Sequence, residues 1–261
     1  MQKILIIGID SYIGSNLRKY LATNNVDVYG TTNKKLKIKK KIYYLNLRKP
    51  KLNFLNINID AAVICASITN LKKCETKPQE SKIINVTNTI KLLKFLESKL
   101  IFTLYISSNL VFNGKKSFYR VLDRPNPISK YGKYKLLVEK FIKSKKYKNY
   151  SILRLTKVIG SNSKFIKYLE SKINRKQIIN YEKDYYLSPI KIEKVCEAIS
   201  KLLIKKNKGI FQIGGKKEYN FESFIKSHFK KKRVLMKETN KNKTKWKNYH
   251  NSLKTYLPFK I

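Results

Sequence analysis

The sequence predicts a doubly wound α/β fold: a parallel sheet with helices on both faces, followed by a smaller C-terminal lobe. Three observations carry that expectation. Short apolar runs alternate with amphipathic helical segments through residues 1–159. The first of those runs ends in a glycine that opens a helix. From residue 160 to 261 the alternation loses its regularity, which sets the expected boundary between sheet domain and lobe.

Taken in order, "KILIIGID" (3–10) is apolar on both faces, as a central parallel strand covered from two sides must be. "SYIGSNLRKYLATNN" follows with Ile13, Leu17 and Leu21 on one helical stripe. "DVYGTT" (27–32), "KIYYLNL" (41–47) and "DAAVICAS" (60–67) are read as strands two to four. "SKIINVTNTIKLLKFLES" is read as one long helix with Ile84, Leu92, Leu93 and Leu96 inward. "IFTLYISS" (101–108) supplies a fifth strand, 130–144 a helix, and "YSILRLTKVIG" (150–160) a sixth strand. Beyond it, "SNSKFIKYLESKI" and "KIEKVCEAISKLLIKK" have helical spacing, while "KQIIN" and "GIFQIGG" read as short strands, some able to return to the main sheet. The lysine-dense tail from 229 to 254 shows no periodicity.

Composition narrows the function. With 42% hydrophobic residues the chain can build a core despite a formal net charge of +43. The 59 lysines and arginines are scattered over nearly every surface-type position. That reads as a compositional background, with nonspecific stickiness to nucleic acid as its consequence, rather than a shaped polyanion site. His228 and His250 are the only histidines, and Cys65, Cys74 and Cys196 lack metal-ligand spacing. We therefore expect reduced thiols and neither a metal centre nor a histidine-based triad. No apolar run approaches the ~18 residues of a membrane span. The chain enters a strand without a leader-like segment, so a cytoplasmic location is expected.

"GIDSYIG" lies where the first strand turns into the first helix. Helix-terminal N–H groups there favour an anion such as a dinucleotide pyrophosphate. Gly8 would allow the tight turn and Gly14 the close approach of helix to strand, with Ser11, Tyr12 and Ile13 between them. Ser11 stands where such loops commonly have a middle glycine, and an ordinary strand–turn–helix would look similar. A second pattern, Y-x-x-x-K, occurs at Tyr131, Tyr168 and Tyr256. In a chain this rich in lysine and tyrosine, chance alone gives roughly three or four matches. Only Tyr131 follows a proline-containing loop, opens a helix, and comes after a strand ending in Ser107-Ser108.

Several stretches in order resemble the dTDP-4-dehydrorhamnose reductase family of extended short-chain dehydrogenase/reductases, which is related to the NAD-dependent epimerases. They are "DAAVICASITNLKKCETKPQESKIIN" (60–85), "YISSNLVFNG" (105–114) and "DRPNPISKYGKYKLLVEK" (123–140). The similarity runs from residue 2 to about 215, and "NYHNSLKTYLPF" echoes the family's carboxyl end. It implies a Rossmann domain over 1–159, a mainly substrate-binding lobe over 160–261, and reduction of a 4-keto group on a nucleotide-diphosphate deoxysugar in polysaccharide synthesis. It implies catalysis by Ser108, Tyr131 and Lys135, with Ser107 as the alternative register. A free tyrosine, with pKa near ~10, is a poor proton shuttle at neutral pH. An ammonium at i+4 shares its helix face and favours the phenolate. Lys135 would also bind the nicotinamide ribose, and Ser108 would donate to the substrate oxygen.

Further cofactor contacts are expected from Thr32, Asn33, Asn46, Leu47, Ala66, Ser67 and Asn85, and substrate contacts from Thr69, Asn109, Leu110 and Lys157. "YGTTNKK" offers hydroxyl, amide and ammonium groups but no acid at the end of strand two, which favours NADP and leaves NAD possible. Asn109-Leu110 replaces the family's Asp-Tyr, and Lys157 stands where relatives have Trp, which puts the rhamnose precursor itself in doubt. The Asp-Glu pair of dehydratase relatives is missing from "SSNLVFNG", so dehydration is not expected. Two other readings stay open: a nucleotide-sugar 4-epimerase with retained NAD, and a nonenzymatic dinucleotide- or polyanion-binding protein. A homodimer is compatible with either.

Overall fold

The computed structural model describes all residues except 39, 54, 147, 231 and 240–248. Seven parallel strands form its central sheet: β1 (Lys3–Ile7), β2 (Asp27–Thr32), β3 (Ile42–Tyr44), β4 (Ala61–Ile64), β5 (Phe102–Ser108), β6 (Tyr150–Leu155) and β11 (Gly209–Ile213). Their spatial order is β3-β2-β1-β4-β5-β6-β11. The chain grows outward from β1 through β2 and β3, then crosses back to β4 and grows the other way. The direction reverses between β1 and β4, so a crevice opens there at the carboxyl edge.

Strand alternation explains why the central runs are apolar throughout. Leu5 and Ile7 point to one face, into a core completed by Leu92, Leu93 and Leu96 of helix α4 (Asn88–Ser98) and by Val138 and Ile142 of α5 (Lys130–Ser144). Ile4 and Ile6 point to the other, against Leu17 and Leu21 of α1 (Tyr12–Ala22) and Val195, Ile199 and Leu202 of α7 (Ile192–Ile204). Both faces are covered, and the charged side chain that does enter, Arg154 of β6, is paired with Glu139 of α5.

The segment expected as one long helix over 81–98 is helical throughout, but a widened π-helical turn at Ile83–Thr87 joins α3 (Pro78–Lys82) to α4, and a short α2 (Leu71–Thr76) precedes them. Pro78 starts α3 where its missing N–H costs nothing. The π turn carries Asn85, whose side chain is committed to the loop after β4, and such turns often mark functional regions. β3 is shorter than expected because it is an edge strand with one neighbour; beyond it the pairing with β2 continues through the Gly30 N–H to the Lys41 carbonyl and the Leu45 N–H to the Thr32 carbonyl. The segment 150–160 is also two strands. β6 stops at Leu155, the Thr156 hydroxyl donates to the Ser188 carbonyl at 2.6 Å, and β7 (Val158–Ile159) changes partner.

The residues after 160 divide between two places. β11 lies beside β6 in the main sheet, and α7 covers that sheet next to α1. A separate cluster is built by Ile166, Leu169 and Ile173 of α6 (Lys164–Asn174), Ile179 of β8 (Ile179–Tyr181), Leu187 of β9 (Tyr186–Leu187), and Phe224 and Ile225 of α8 (Phe221–His228). Three two-stranded ribbons tie these pieces together. β7 pairs with β10 (Ile190–Lys191), β9 with β12 (Tyr219–Asn220), and β8 with β13 (Met236–Glu238). Of the lysine-dense tail, residues 231 and 240–248 lie outside the described residues. Among the described residues no helix is long and apolar enough to cross a membrane.

Candidate active site

Two clefts open along the carboxyl edge of the sheet. The first, about 340 Å³, lies over β1, β2 and β4 and is lined by Gly8, Thr32, Asn33, Asn46, Leu47 and Ala66 among others. The second, about 570 Å³, lies over β4, β5 and β6 and reaches the lobe. Ser11 and Ser67 line both, so the clefts form one trench. Of the residues singled out from the sequence, Gly14 and Asn85 line neither cleft.

The loop at Gly8 is built by close packing. Gly8 has φ +84°, and a Cβ there would sit 2.8 Å from the Ala66 Cβ. A Cβ on Gly14 would overlap the Gly8 carbonyl oxygen, so this glycine lets α1 approach its own loop. Ser11, in place of a middle glycine, caps the helix: its Oγ accepts the Gly14 N–H at 3.0 Å. The N–H groups of Tyr12 and Ile13 remain without an acceptor among the described residues, and both residues line the trench. Asn85 acts from behind. It accepts the Ile68 N–H at 2.8 Å and the Ser67 hydroxyl at 3.1 Å, and returns its amide to the Ile68 carbonyl at 2.9 Å. It therefore shapes the loop that carries Ala66 and Ser67.

Ser108, Tyr131 and Lys135 all line the second cleft. Ser108 ends β5, and its Oγ accepts the Leu110 N–H at 3.2 Å while its proton points to Asn109 Oδ1 at 3.3 Å. The adjacent Ser107 is tied down, donating to Glu139 Oε1 at 2.5 Å. Ser129 caps α5 through the Gly132 N–H, so Tyr131 and Lys135 occupy its first two turns. Lys135 is only 4% exposed; its Nζ donates to the Ile106 carbonyl at 2.8 Å and lies 5.6 Å from the centre of the Tyr131 ring. Burial pulls this lysine down to about 8, so it stays mostly protonated at neutral pH. Burial also pushes the Tyr131 phenol above its ordinary value, which keeps it protonated in the resting protein. Cys65 lines the same cleft, but burial pushes its thiol up to about 12, which leaves it inert.

The family model of the RmlD substrate binding domain matches residues 1–252. The chain belongs to this family. Among curated proteins, methionine adenosyltransferase 2 subunit beta of Xenopus tropicalis is 31% identical over 108 residues, covering 36% of this chain and 32% of that protein. The probable low-salt glycan biosynthesis reductase Agl14 of Haloferax volcanii is 30% identical over 105 residues, covering 40% and 35%. The chain thus spans about a third of the length of these curated relatives. Among solved structures, a dTDP-4-dehydrorhamnose reductase from Clostridium acetobutylicum superposes with TM-score 0.86 at 24% identity, over 98% of this chain and 91% of that one. A UDP-glucose 4-epimerase from Thermotoga maritima superposes with TM-score 0.81 at 17% identity, over 97% and 90%. At these identities the structures establish a shared fold.

This RmlD-family chain also brings residues to the trench that its sequence did not single out. Asp10, Arg48 and Lys73 line the first cleft beside Lys34 of the YGTTNKK stretch, and Lys164, Tyr185 and Asn251 line the second. Asn251 comes from the far end of the chain and accepts the Asn109 side-chain amide at 3.0 Å, a meeting with no local signal. Asp10 lies within the glycine-loop motif itself, rather than at the end of β2 where a ribose-binding acid is ordinarily expected. Thr69, Asn109, Leu110 and Lys157 all line the second cleft, with the Lys157 ammonium 4.8 Å from the Phe165 ring centre. In the family's Y-G signature the glycine permits a close approach, since a Cβ on Gly132 would overlap the Leu110 carbonyl oxygen. Gly132→Ala must therefore push α5 away from the loop carrying Asn109 and Leu110. We expect a loss of about 1–3 kcal/mol in unfolding free energy, together with loss of any activity that depends on Tyr131. Denaturant titration and turnover measured side by side check both.

Proposed function

We propose that this chain is an NAD(P)H-dependent reductase that converts a 4-keto nucleotide-diphosphate deoxysugar to the corresponding alcohol. The observation that carries the reading is one continuous trench with the glycine loop at one end and Ser108, Tyr131 and Lys135 at the other. The loop fits a dinucleotide: Gly8 and Gly14 permit its close turns, and the open N–H groups of Tyr12 and Ile13 can take a pyrophosphate. A nicotinamide bound across the trench supplies the hydride.

The chain's own groups handle the oxygen. Ser108 donates a hydrogen bond to the substrate carbonyl, and Tyr131 transfers its phenolic proton to the same oxygen as that oxygen gains negative charge. The Lys135 ammonium, buried beside the Tyr131 ring, stabilises the phenolate left behind. Asn109, Leu110, Thr69 and Lys157 face the sugar, whose identity is not that of the rhamnose precursor by default, since Asn109, Leu110 and Lys157 depart from the family pattern. A dTDP-4-dehydrorhamnose reductase from Bacillus anthracis was solved in complex with NADP, and a related fold, MoeE5, with UDP-glucuronic acid and NAD; both support this class of ligand. Three free thiols fit a cytoplasmic setting.

The test is a pair of salt titrations in the presence of NADPH, one with a dTDP- or UDP-sugar and one with a random DNA duplex. Nucleotide-sugar binding is expected to persist at ~150 mM salt, where the Debye length is ~8 Å and distant lysines are screened. Duplex binding should fall steeply over the same range. Salt-resistant nucleic-acid binding without any nucleotide-sugar binding would contradict the reading. Tightly retained, non-exchanging NAD would redirect it to a 4-epimerase.

A further inference from the structure

The first cleft contains a carboxylate where the end of β2 has none. Asp10, between Gly8 and Ser11, lines that cleft, and its Oδ2 receives the proton of the Thr32 hydroxyl. Its Oδ1 lies 3.5 Å from Lys37 Nζ. Thr32 is the last residue of β2 and is 2% exposed. Its hydroxyl oxygen also accepts the Lys34 N–H at 3.1 Å. The single Thr32 proton is thus committed to Asp10, and no donor is left on that side chain for a phosphate.

In doubly wound dinucleotide sites an acid at the end of the second strand accepts the adenosine ribose 2′-hydroxyl, whereas cationic groups receive a 2′-phosphate. This chain has only 16 acidic residues against 59 basic ones, so a carboxylate at this point is not what composition supplies. We propose that Asp10 is a cofactor-specificity residue. Its carboxylate accepts the ribose 2′-hydroxyl of NAD(H) and, through like-charge repulsion, holds down the preference for NADP(H) that Lys34 and Asn33 would otherwise give. The proposal rests on the dinucleotide reading above. It deepens that reading by naming the group that reads the ribose.

The experiment measures dissociation constants of NADH, NADPH and 2′-deoxy-NADH for the wild-type protein and for Asp10→Asn, with thermal unfolding of both proteins as a control. Asparagine is isosteric, and its Oδ1 can still accept from Thr32, so the loop is expected to persist. In the variant the ratio of NADPH to NADH affinity should rise at least tenfold, NADH weakening and NADPH tightening. In the wild-type protein, 2′-deoxy-NADH should bind about tenfold more weakly than NADH, a comparison that needs no variant. In Asp10→Asn that difference should largely vanish. If NADH and NADPH shift by the same factor, or 2′-deoxy-NADH binds the wild type as well as NADH does, Asp10 only braces Thr32 and Lys37 and the proposal is wrong. Failure of the wild-type protein to bind any of the three ligands would instead remove the dinucleotide reading itself.

Discussion

Tyr131→Phe is expected to lower turnover by roughly 10²–10⁴, the usual range for loss of a positioned acid, and to leave NADPH affinity near that of the wild type. The substitution removes one oxygen from a ring otherwise held by packing on β5 and α5, so the fold should not suffer. The other two Y-x-x-x-K tyrosines serve as internal controls. Tyr168 is 57% exposed on α6 and Tyr256 54% exposed near the carboxyl end, and neither lines the trench. Tyr168→Phe should leave turnover unchanged. Steady-state kinetics on the three variants, with cofactor binding measured separately, separate loss of chemistry from loss of binding. Turnover of Tyr131→Phe within threefold of wild type would show that the proton comes from elsewhere.

Glu139→Ala is expected to destabilise the protein by about 3–5 kcal/mol, the cost of stranding a buried charge. Glu139 and Arg154 form a two-pronged pair, Nε to Oε1 at 3.0 Å and a terminal nitrogen to Oε2 at 2.7 Å, with side chains 4% and 2% exposed. Arg154 also donates to the Val121 carbonyl at 3.2 Å and lies 5.0 Å from the Phe112 ring centre. Removing the carboxylate leaves this guanidinium unpaired and frees the Ser107 hydroxyl. The pair joins α5 to β6, and Glu139 also accepts the Ser107 hydroxyl, so it ties the strand that ends in Ser108 to the helix that carries Tyr131 and Lys135. The double replacement Glu139→Leu with Arg154→Met should cost less than Glu139→Ala alone, since no charge is left behind. Equilibrium denaturation measures both. A loss under about 1 kcal/mol for Glu139→Ala would mean that water reaches the pair.

Much of this architecture is legible in the sequence because its signals are local. β1 reads from apolar residues on both faces, and α5 matches its predicted span of 130–144 because Ser129 caps it and the apolar stripe is regular. Ser108, Tyr131 and Lys135 reach one cleft because strand order fixes where β5 ends, and α5 packs back on that strand. Signals that depend on a distant partner are not legible. The break after Leu155 is set by Ser188, and the π turn by the demand of Asn85 on residues 67 and 68. Helix α8 has a clear Asn220 cap but only two turns, too short for its spacing to stand out. Asn251 enters the trench only because residues 249–253 pack against the loop after β5. Asp10 stands in plain view within the motif, yet its meeting with Thr32 exists only in three dimensions.

The most direct test of the reductase reading follows a single hydrogen. The protein is incubated with a 4-keto nucleotide deoxysugar and reduced cofactor carrying deuterium at the transferable position of the nicotinamide, and the sugar product is analysed by mass spectrometry and NMR. The account predicts one deuterium at C4 of the product, one oxidised cofactor per sugar, and near-complete loss of both in Tyr131→Phe. A C4 alcohol formed without deuterium would contradict it, as would no product at all from a protein that binds both ligands.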